Sequence, residues 1–161
     1  MKQIVPTLAA LLSSSIALSG NLPLQVGDQF PPYPEGYRVV ASSCVGTVES
    51  GLCDISLSVL RSEIDHILVL SHFDHFEDTG VPVNTVADIV LFEIQDGSAV
   101  SIGNCRFRQE HDVSIAAIVD YSTAVDGWTG AATWAKRVDA KSLKIRDADP
   151  ALVTCNSESP T

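Results

Sequence analysis

Apolar and polar residues alternate along most of the chain that follows residue 36. Ile55, Leu57 and Val59, for example, alternate with serines. A period of two predicts a β-strand with one buried face, because successive side chains of a strand point to opposite faces of the sheet. The other segments with this pattern, or with a short apolar run, are 37–45, 66–73, 90–94, 100–107, 113–121 and 143–146. Short strands separated by turn residues predict an antiparallel meander, folded as a sandwich or a barrel.

Two segments fit a helix as well as a strand. Leu57, Leu60 and Ile64 recur at helical spacing, so a helix within residues 57–80 stays an alternative. Residues 131–138 could also form one short helix, but the threonines and tryptophans in and around this segment favour a strand. The predicted fold class is therefore mainly β, with α+β containing one short helix as the alternative.

The dipeptide Asp96-Gly97 is the strongest short hairpin signal in these alternating segments. It lies between the apolar segments 90–94 and 100–107. A type I′ turn needs a positive φ at both of its central residues, which Asp-Gly tolerates, and it joins two adjacent antiparallel strands. We therefore predict a type I′ β-hairpin centred on these two residues.

The first 20 residues have the layout of a secretory signal peptide. Lys2 precedes an apolar stretch from Ile4 to Leu18, and small residues follow at Ser19 and Gly20. The apolar core of about 15 residues is short for a membrane span, which needs about 20. We therefore favour a cleaved signal over a retained anchor, and expect cleavage after Ser19 or Gly20.

The rest of the chain divides into an arm and a domain. Residues 21–36 are rich in proline and lack periodicity, which predicts an extended arm leading into the fold. Residues 37–161 are expected to form a single β-rich domain. A mature chain of about 140 residues buries roughly 68–70% of its unfolded surface, so it has a substantial core.

The cysteines predict two disulfides. Four cysteines in an exported chain allow three connectivities. We choose Cys44 with Cys53, because Gly46 and Gly51 permit a tight reversal between them, and Cys105 with Cys155, which would tie the last strand back to the sheet. No thiol then remains as a catalytic nucleophile.

The charge of the chain is strongly acidic. Twenty acidic and ten basic residues give a net charge of −10, and removal of Lys2 makes the mature protein more negative. Nucleic acid is not an expected partner, because binding it depends on neutralising phosphates with Lys and Arg. A basic envelope or secreted protein is the expected partner.

One short segment concentrates residues that bind metals. The fragment ILVLSHFDHFEDTG resembles the metal-binding motif of metallo-β-lactamase-fold hydrolases, in which an apolar strand leads into H-x-H-x-D-H. His72, Asp74 and His75 match the last three motif ligands, whereas Leu70 occupies the place of the first. In a flat strand His72 and Asp74 would share one face and His75 would point to the other. We therefore expect no metal and no cofactor. If a metal were bound, His72, Asp74 and His75 would be the candidate ligands.

Two tryptophans are the candidates for ligand binding. Trp128 and Trp134 lie six residues apart and could present an aromatic platform, although tryptophan is more often a core residue. The motifs of serine hydrolases, P-loop enzymes and dinucleotide-binding enzymes are not found in the sequence.

These observations favour a non-catalytic protein. We expect a secreted or periplasmic binding or inhibitor-type protein, directed for instance at a cationic enzyme of the cell envelope. Two alternatives stay open. One is an envelope protein without a discrete ligand, and the other is a metal-dependent hydrolase that uses the histidine cluster.

Overall fold

The computed structural model describes residues 22–47 and 51–157, and the first sheet contains five strands. Its strands are β1 (Gln29–Phe30), β2 (Arg38–Thr47), β3 (Cys53–Arg61), β4 (His66–Phe76) and β5 (Pro82–Phe92). They lie in the order β1-β5-β4-β3-β2, and every neighbouring pair is antiparallel. Strands β2 to β5 therefore form the meander that the alternating pattern predicts. We call this sheet A.

The remaining strands form two smaller sheets. They are β6 (Ala99–Ile102), β7 (Cys105–Phe107), β8 (Glu110–Asp112), β9 (Ile115–Val119), β10 (Trp134–Asp139), β11 (Lys144–Asp147) and β12 (Val153–Cys155). Sheet B has the order β11-β10-β9-β6, and sheet C has the order β12-β7-β8. Short 3-10 turns occur at Tyr121–Thr123 and Pro150–Leu152.

The three sheets are stacked, with sheet B in the middle. One core lies between sheets A and B and includes Leu57, Leu70 and Ile118, and a second lies between sheets B and C and includes Ile115 and Val153. Strand β9 has the sequence IAAIV, and all five of its residues are buried, because its two faces contribute to different cores. An uninterrupted apolar run is what a strand covered on both faces requires.

The segment before β2 packs on the outer face of sheet A. Leu24 and Phe30 are buried there and contact a third cluster that includes Leu60, Ile67 and Val69. Gln29 and Phe30 also pair with β5 as strand β1. This segment, within the predicted arm, therefore contributes both a strand and a hydrophobic cover to the sheet.

The mainly β fold class and both disulfides are confirmed. Cys44 is bonded to Cys53 at the β2–β3 hairpin, and Cys105 is bonded to Cys155 between β7 and β12. Two disulfides indicate an oxidising, extracellular compartment. Within the residues described, no helix is long and apolar enough to cross a membrane. The signal peptide prediction concerns residues outside the described ranges.

The helical alternative for residues 57–80 is wrong. Most of this segment belongs to the antiparallel strands β3 and β4, which pair along seven positions. The leucines and isoleucines also fit a helical stripe because β3 and β4 are covered on both faces, one by sheet B and one by the N-terminal segment. Residues that are buried on both faces lose the alternation that separates a strand from a helix.

The type I′ hairpin predicted at Asp96-Gly97 is also wrong. The strands on either side, β5 and β6, belong to different sheets, and of the two turn residues Gly97 alone has a positive φ, 81°. Asp126 and Gly127 have the pair of positive φ angles that a type I′ turn needs, 51° and 79°. This second Asp-Gly pair closes a turn in which the amide of Val125 and the carbonyl of Trp128 bond at 2.8 Å.

Candidate functional site

The β4–β5 hairpin extends beyond the strands that flank it. The pairing of β3 with β4 ends at Ile55 and His72, and β1 reaches β5 no further than Phe30, opposite Asn84. The two strands nevertheless continue to pair with each other as far as Phe76 and Pro82. We call residues 73–82 the hairpin tip. Its outer strand edges face no neighbouring strand of the described chain.

A β-bulge at Asp74 places two phenylalanines side by side. Phe73 lies opposite Asn84, whereas Phe76 lies opposite Pro82, which is two residues away on β5. Residues two apart on a strand share a face, so Phe73 and Phe76 do as well, although three residues separate them. Their ring centroids are 4.9 Å apart, and Phe76 is 48% exposed.

The same bulge places both histidines on the opposite face. His72 lies opposite Thr85 and His75 lies opposite Val83, again two residues apart. The expectation from a flat strand, that His75 would point away from His72, is therefore wrong, because the extra residue shifts the alternation by one position. Asp74 is that extra residue.

The carboxylate of Asp74 is fixed by its neighbours on this face. Its Oδ2 accepts a hydrogen bond of 2.6 Å from the side-chain amide of Gln29 and one of 3.5 Å from the hydroxyl of Thr85. Nδ1 of His75 lies 3.3 Å from the same oxygen. These contacts hold the bulge in one geometry and tie β1 to the hairpin tip.

The candidate metal ligands do not form a metal-binding group. Across residues 22–47 and 51–157, no set of three or more His, Cys, Asp or Glu side chains is placed to hold an ion. Nδ1 of His72 is enclosed and has no hydrogen-bond partner, which leaves only Nε2 of this residue for an outside ligand. The structure thus brings His75 and Asp74 together but not the full set with His72.

Charge is unevenly distributed around the hairpin tip. The 44 residues from Ser62 to Cys105 include eight Asp or Glu and no Lys or Arg. Asp74, Glu77 and Asp78 are all exposed at the tip. The exposed ring of Phe76 therefore lies in a segment that carries several carboxylates and no Lys or Arg.

The turn of the hairpin tip is held by its own hydrogen bonds. The amide of Glu77 donates to the carbonyl of Val81 at 2.9 Å, and the amide of Gly80 donates to the carbonyl of Glu77 at 2.8 Å. The hydroxyl of Thr79 donates to the carboxylate of Glu77 at 3.2 Å. A surface that is ordered before binding loses less conformational entropy when a partner docks.

The two tryptophans lie in different parts of the molecule. Trp134 is half-buried at the edge of the core between sheets A and B, where it stacks on Phe92 with ring centroids 4.9 Å apart. Trp128 is half-buried beside sheet C, and the guanidinium of Arg106 covers its ring at 3.1 Å from the centroid. They do not form one shared platform, and one face of each ring is already in contact with another side chain.

Because comparison with known proteins gives no match, the function has to be inferred from the chemistry of these residues. The hairpin tip combines the exposed ring of Phe76, three exposed carboxylates and a turn closed by its own hydrogen bonds. No protein-family model, curated protein or solved structure matches this chain.

Proposed function

We propose that this protein is a non-catalytic binding protein whose hairpin tip docks on a positively charged surface of another protein. The proposal rests on one observation, which is that the exposed Phe76 packs beside the half-buried Phe73 within an acidic projection. A partner that bears Lys or Arg around an apolar depression would complement both features. The partner class that we favour is a cationic enzyme of the cell envelope, which docking would inhibit.

The aromatic pair supplies the anchor of the proposed interface. Interface energy is concentrated in a few large side chains that enter pockets of the partner, and aromatic residues are enriched among them. Phe76 has almost half of its surface left to bury. Completing that burial is worth about 0.7–1.4 kcal/mol, since full burial of such a side chain contributes about 1.5–3 kcal/mol.

The carboxylates supply steering and selectivity. Opposite charges on two partners accelerate their encounter, and salt reduces this effect by shortening the reach of the field from about 10 Å at 0.1 M to about 3 Å at 1 M. Glu77 and Asp78 lie at the end of the hairpin and would meet the partner first. The dissociation rate depends more on the packed contacts of the phenylalanines.

The proposed location is the periplasm or the extracellular space. The disulfides support an oxidising compartment, and the predicted signal peptide supports export. A small, disulfide-bonded and acidic protein would there encounter cationic muramidases and amidases. Inhibition of such an enzyme requires only that the hairpin tip occupy its substrate cleft or its edge.

The test measures binding to a panel of cationic muramidases and amidases. Residues 21–161 are immobilised, and both rate constants are measured between 0.05 and about 1 M salt, a range over which screening changes strongly. We expect saturable binding by at least one enzyme, with association slowing as salt rises. Phe76→Ala should weaken this binding about three- to tenfold, chiefly through faster dissociation.

Matched variants separate the hairpin tip from general effects. Ile64→Ala removes an apolar side chain that is 87% exposed at the β3–β4 turn, the opposite end of these strands, and should leave binding unchanged. Glu77→Gln with Asp78→Asn should slow association at low salt. If Phe76→Ala and Ile64→Ala bind alike, or if every cationic protein is retained weakly without saturation, the proposal is wrong.

A further inference from the structure

A row of basic side chains, two arginines and a histidine, lies at the end of sheet A opposite the hairpin tip. Arg38 of β2 lies directly opposite Arg61 of β3, and Arg61 lies directly opposite His66 of β4. Directly opposed residues of antiparallel strands point to the same face, with Cβ atoms about 4.5–5.5 Å apart. The three side chains therefore form one row across three neighbouring strands, which we call the arginine row.

The arginine row is not neutralised by ion pairs. The salt bridges of the described residues use Lys136, Arg137, Lys144 and His75, and neither Arg38 nor Arg61 has a carboxylate within ion-pair distance. Like charges directly opposite each other on a sheet destabilise the pairing. A chain with twice as many acidic as basic residues nevertheless places two arginines together.

A depression lies beside the row at the opening between sheets A and B. Its volume is about 360 Å³, and its lining includes Arg61, His66 and the apolar side chains of Val40 and Ile94. The imidazole of His66 is half-buried, and its ring centroid lies 5.6 Å from that of Phe92 at the edge of the core. A group that enters the depression would thus meet the guanidinium of Arg61 and the imidazole of His66 on one side and apolar surface beneath.

Three carboxylates, those of Glu63, Asp65 and Asp96, border this region without pairing with the arginines. Glu63 lines a shallow depression together with Arg38 and Arg61. Asp65 accepts a hydrogen bond of 3.4 Å from the hydroxyl of Tyr37, and its turn is closed by Ser62. Asp96 lies on the far rim of the depression. Their charges weaken the binding of any anion, so a ligand must contact both guanidinium groups at once, as a tetrahedral oxyanion with two negative charges can.

We propose that the arginine row binds a tetrahedral oxyanion with two negative charges, such as the phosphate of a phosphomonoester. Two guanidinium groups present several N–H donors in planar forks that match the oxygens of phosphate, and they remain charged at every physiological pH. The apolar wall of the depression would accept the organic group that carries the phosphate. The site lies apart from the hairpin tip and does not depend on its function.

The test titrates the mature protein with inorganic phosphate at pH 8, where the dianion predominates, and with acetate as a single negative charge. Binding is followed by calorimetry and by the shift in melting temperature. We expect saturable phosphate binding and at least tenfold weaker binding of acetate. Arg38→Gln and Arg61→Gln should each weaken phosphate binding at least tenfold.

The control is Arg146→Gln, which removes an exposed arginine from β11. It should leave phosphate binding unchanged. Without phosphate, Arg61→Gln should be at least as stable as the parent, because it relieves the repulsion from Arg38, whereas a purely structural arginine would destabilise when replaced. Equal phosphate affinity in Arg61→Gln and Arg146→Gln, or binding that does not saturate, would overturn the proposal.

Discussion

Removing the Cys105–Cys155 disulfide should lower the free energy of unfolding more than removing the Cys44–Cys53 disulfide. The sequence separations are 9 residues for Cys44–Cys53 and 50 for Cys105–Cys155. In the chain-entropy model, loops of these lengths give stabilisations of about 2.7 and about 4.1 kcal/mol. The loop term alone therefore favours the second bridge by about 1.4 kcal/mol.

Burial adds to the difference between the two bridges. Cys105 and Cys155 are completely buried in the core between sheets B and C, whereas Cys44 is exposed at the edge of sheet A. Replacing both buried cysteines by alanine removes two sulfur atoms from a packed site and leaves a small void, at a further cost of about 1–2 kcal/mol. We expect a total loss of about 5–6 kcal/mol for this pair and about 2–3 kcal/mol for Cys44→Ala with Cys53→Ala.

The assay is urea unfolding of the mature protein and both double variants at 25 °C. A loss of about 5–6 kcal/mol is comparable to the whole stability of a small domain, so the Cys105 and Cys155 variant is also measured at lower temperature and with a stabilising osmolyte. Partial reduction gives an independent measurement, because the exposed bridge should be reduced first. Equal losses for the two variants, or first reduction of the buried bridge, would refute this reasoning.

Three further predictions concern the backbone, the core and pH. Gly127→Val should lower the free energy of unfolding by about 1–3 kcal/mol, because a β-branched residue is strained at its φ of 79°, and thermal melting measures the loss. Ala117→Leu in β9 should cost about 1–3 kcal/mol by overpacking a residue that is completely buried, which urea unfolding measures. Burial lowers the pKa of His66 below its usual 6.5, and the charge of Arg61 lowers it further, whereas the charge of Asp65 partly opposes this shift. As pH falls below 6.5, His66 becomes protonated in the unfolded chain before it does in the folded protein, so the free energy of unfolding should decrease until the pH reaches the lowered pKa. Melting curves measured across this pH range should show a smaller decrease for His66→Gln.

Much of sheet A can be predicted from the sequence because its strands follow one another along the chain. Ile55, Leu57 and Val59 point to the same core and alternate with serines on the other face, as the pattern implies. The prediction fails where the chain changes sheets. Residues 100–107 look like one apolar strand, yet they form β6 of sheet B and β7 of sheet C. The break lies at Gly103, whose φ is 73° and whose position leaves no room for a Cβ beside Ser43.

The candidate site was missed for a related reason. The sequence draws attention to His72, Asp74 and His75 as ligands, and not to the phenylalanines next to them. A strict period of two sends these phenylalanines to opposite faces, and nothing in the sequence marks Asp74 as the residue that bulges. The bulge depends on Gln29 and Thr85, whose side chains hold the carboxylate from two other positions. Such a contact between distant segments has no local signature.

The pairing of the cysteines also has a consequence for how the disulfides would form in an oxidising compartment. Each disulfide joins two cysteines that are consecutive in the sequence, Cys44 with Cys53 and Cys105 with Cys155. An oxidase that joins cysteines in the order in which they emerge from a translocation channel would thus make only native bonds. Cys105 must wait for almost all of the remaining chain, but no other unpaired cysteine is then present to compete for it. If the chain is exported as predicted, its maturation would therefore require an oxidase but no disulfide isomerase.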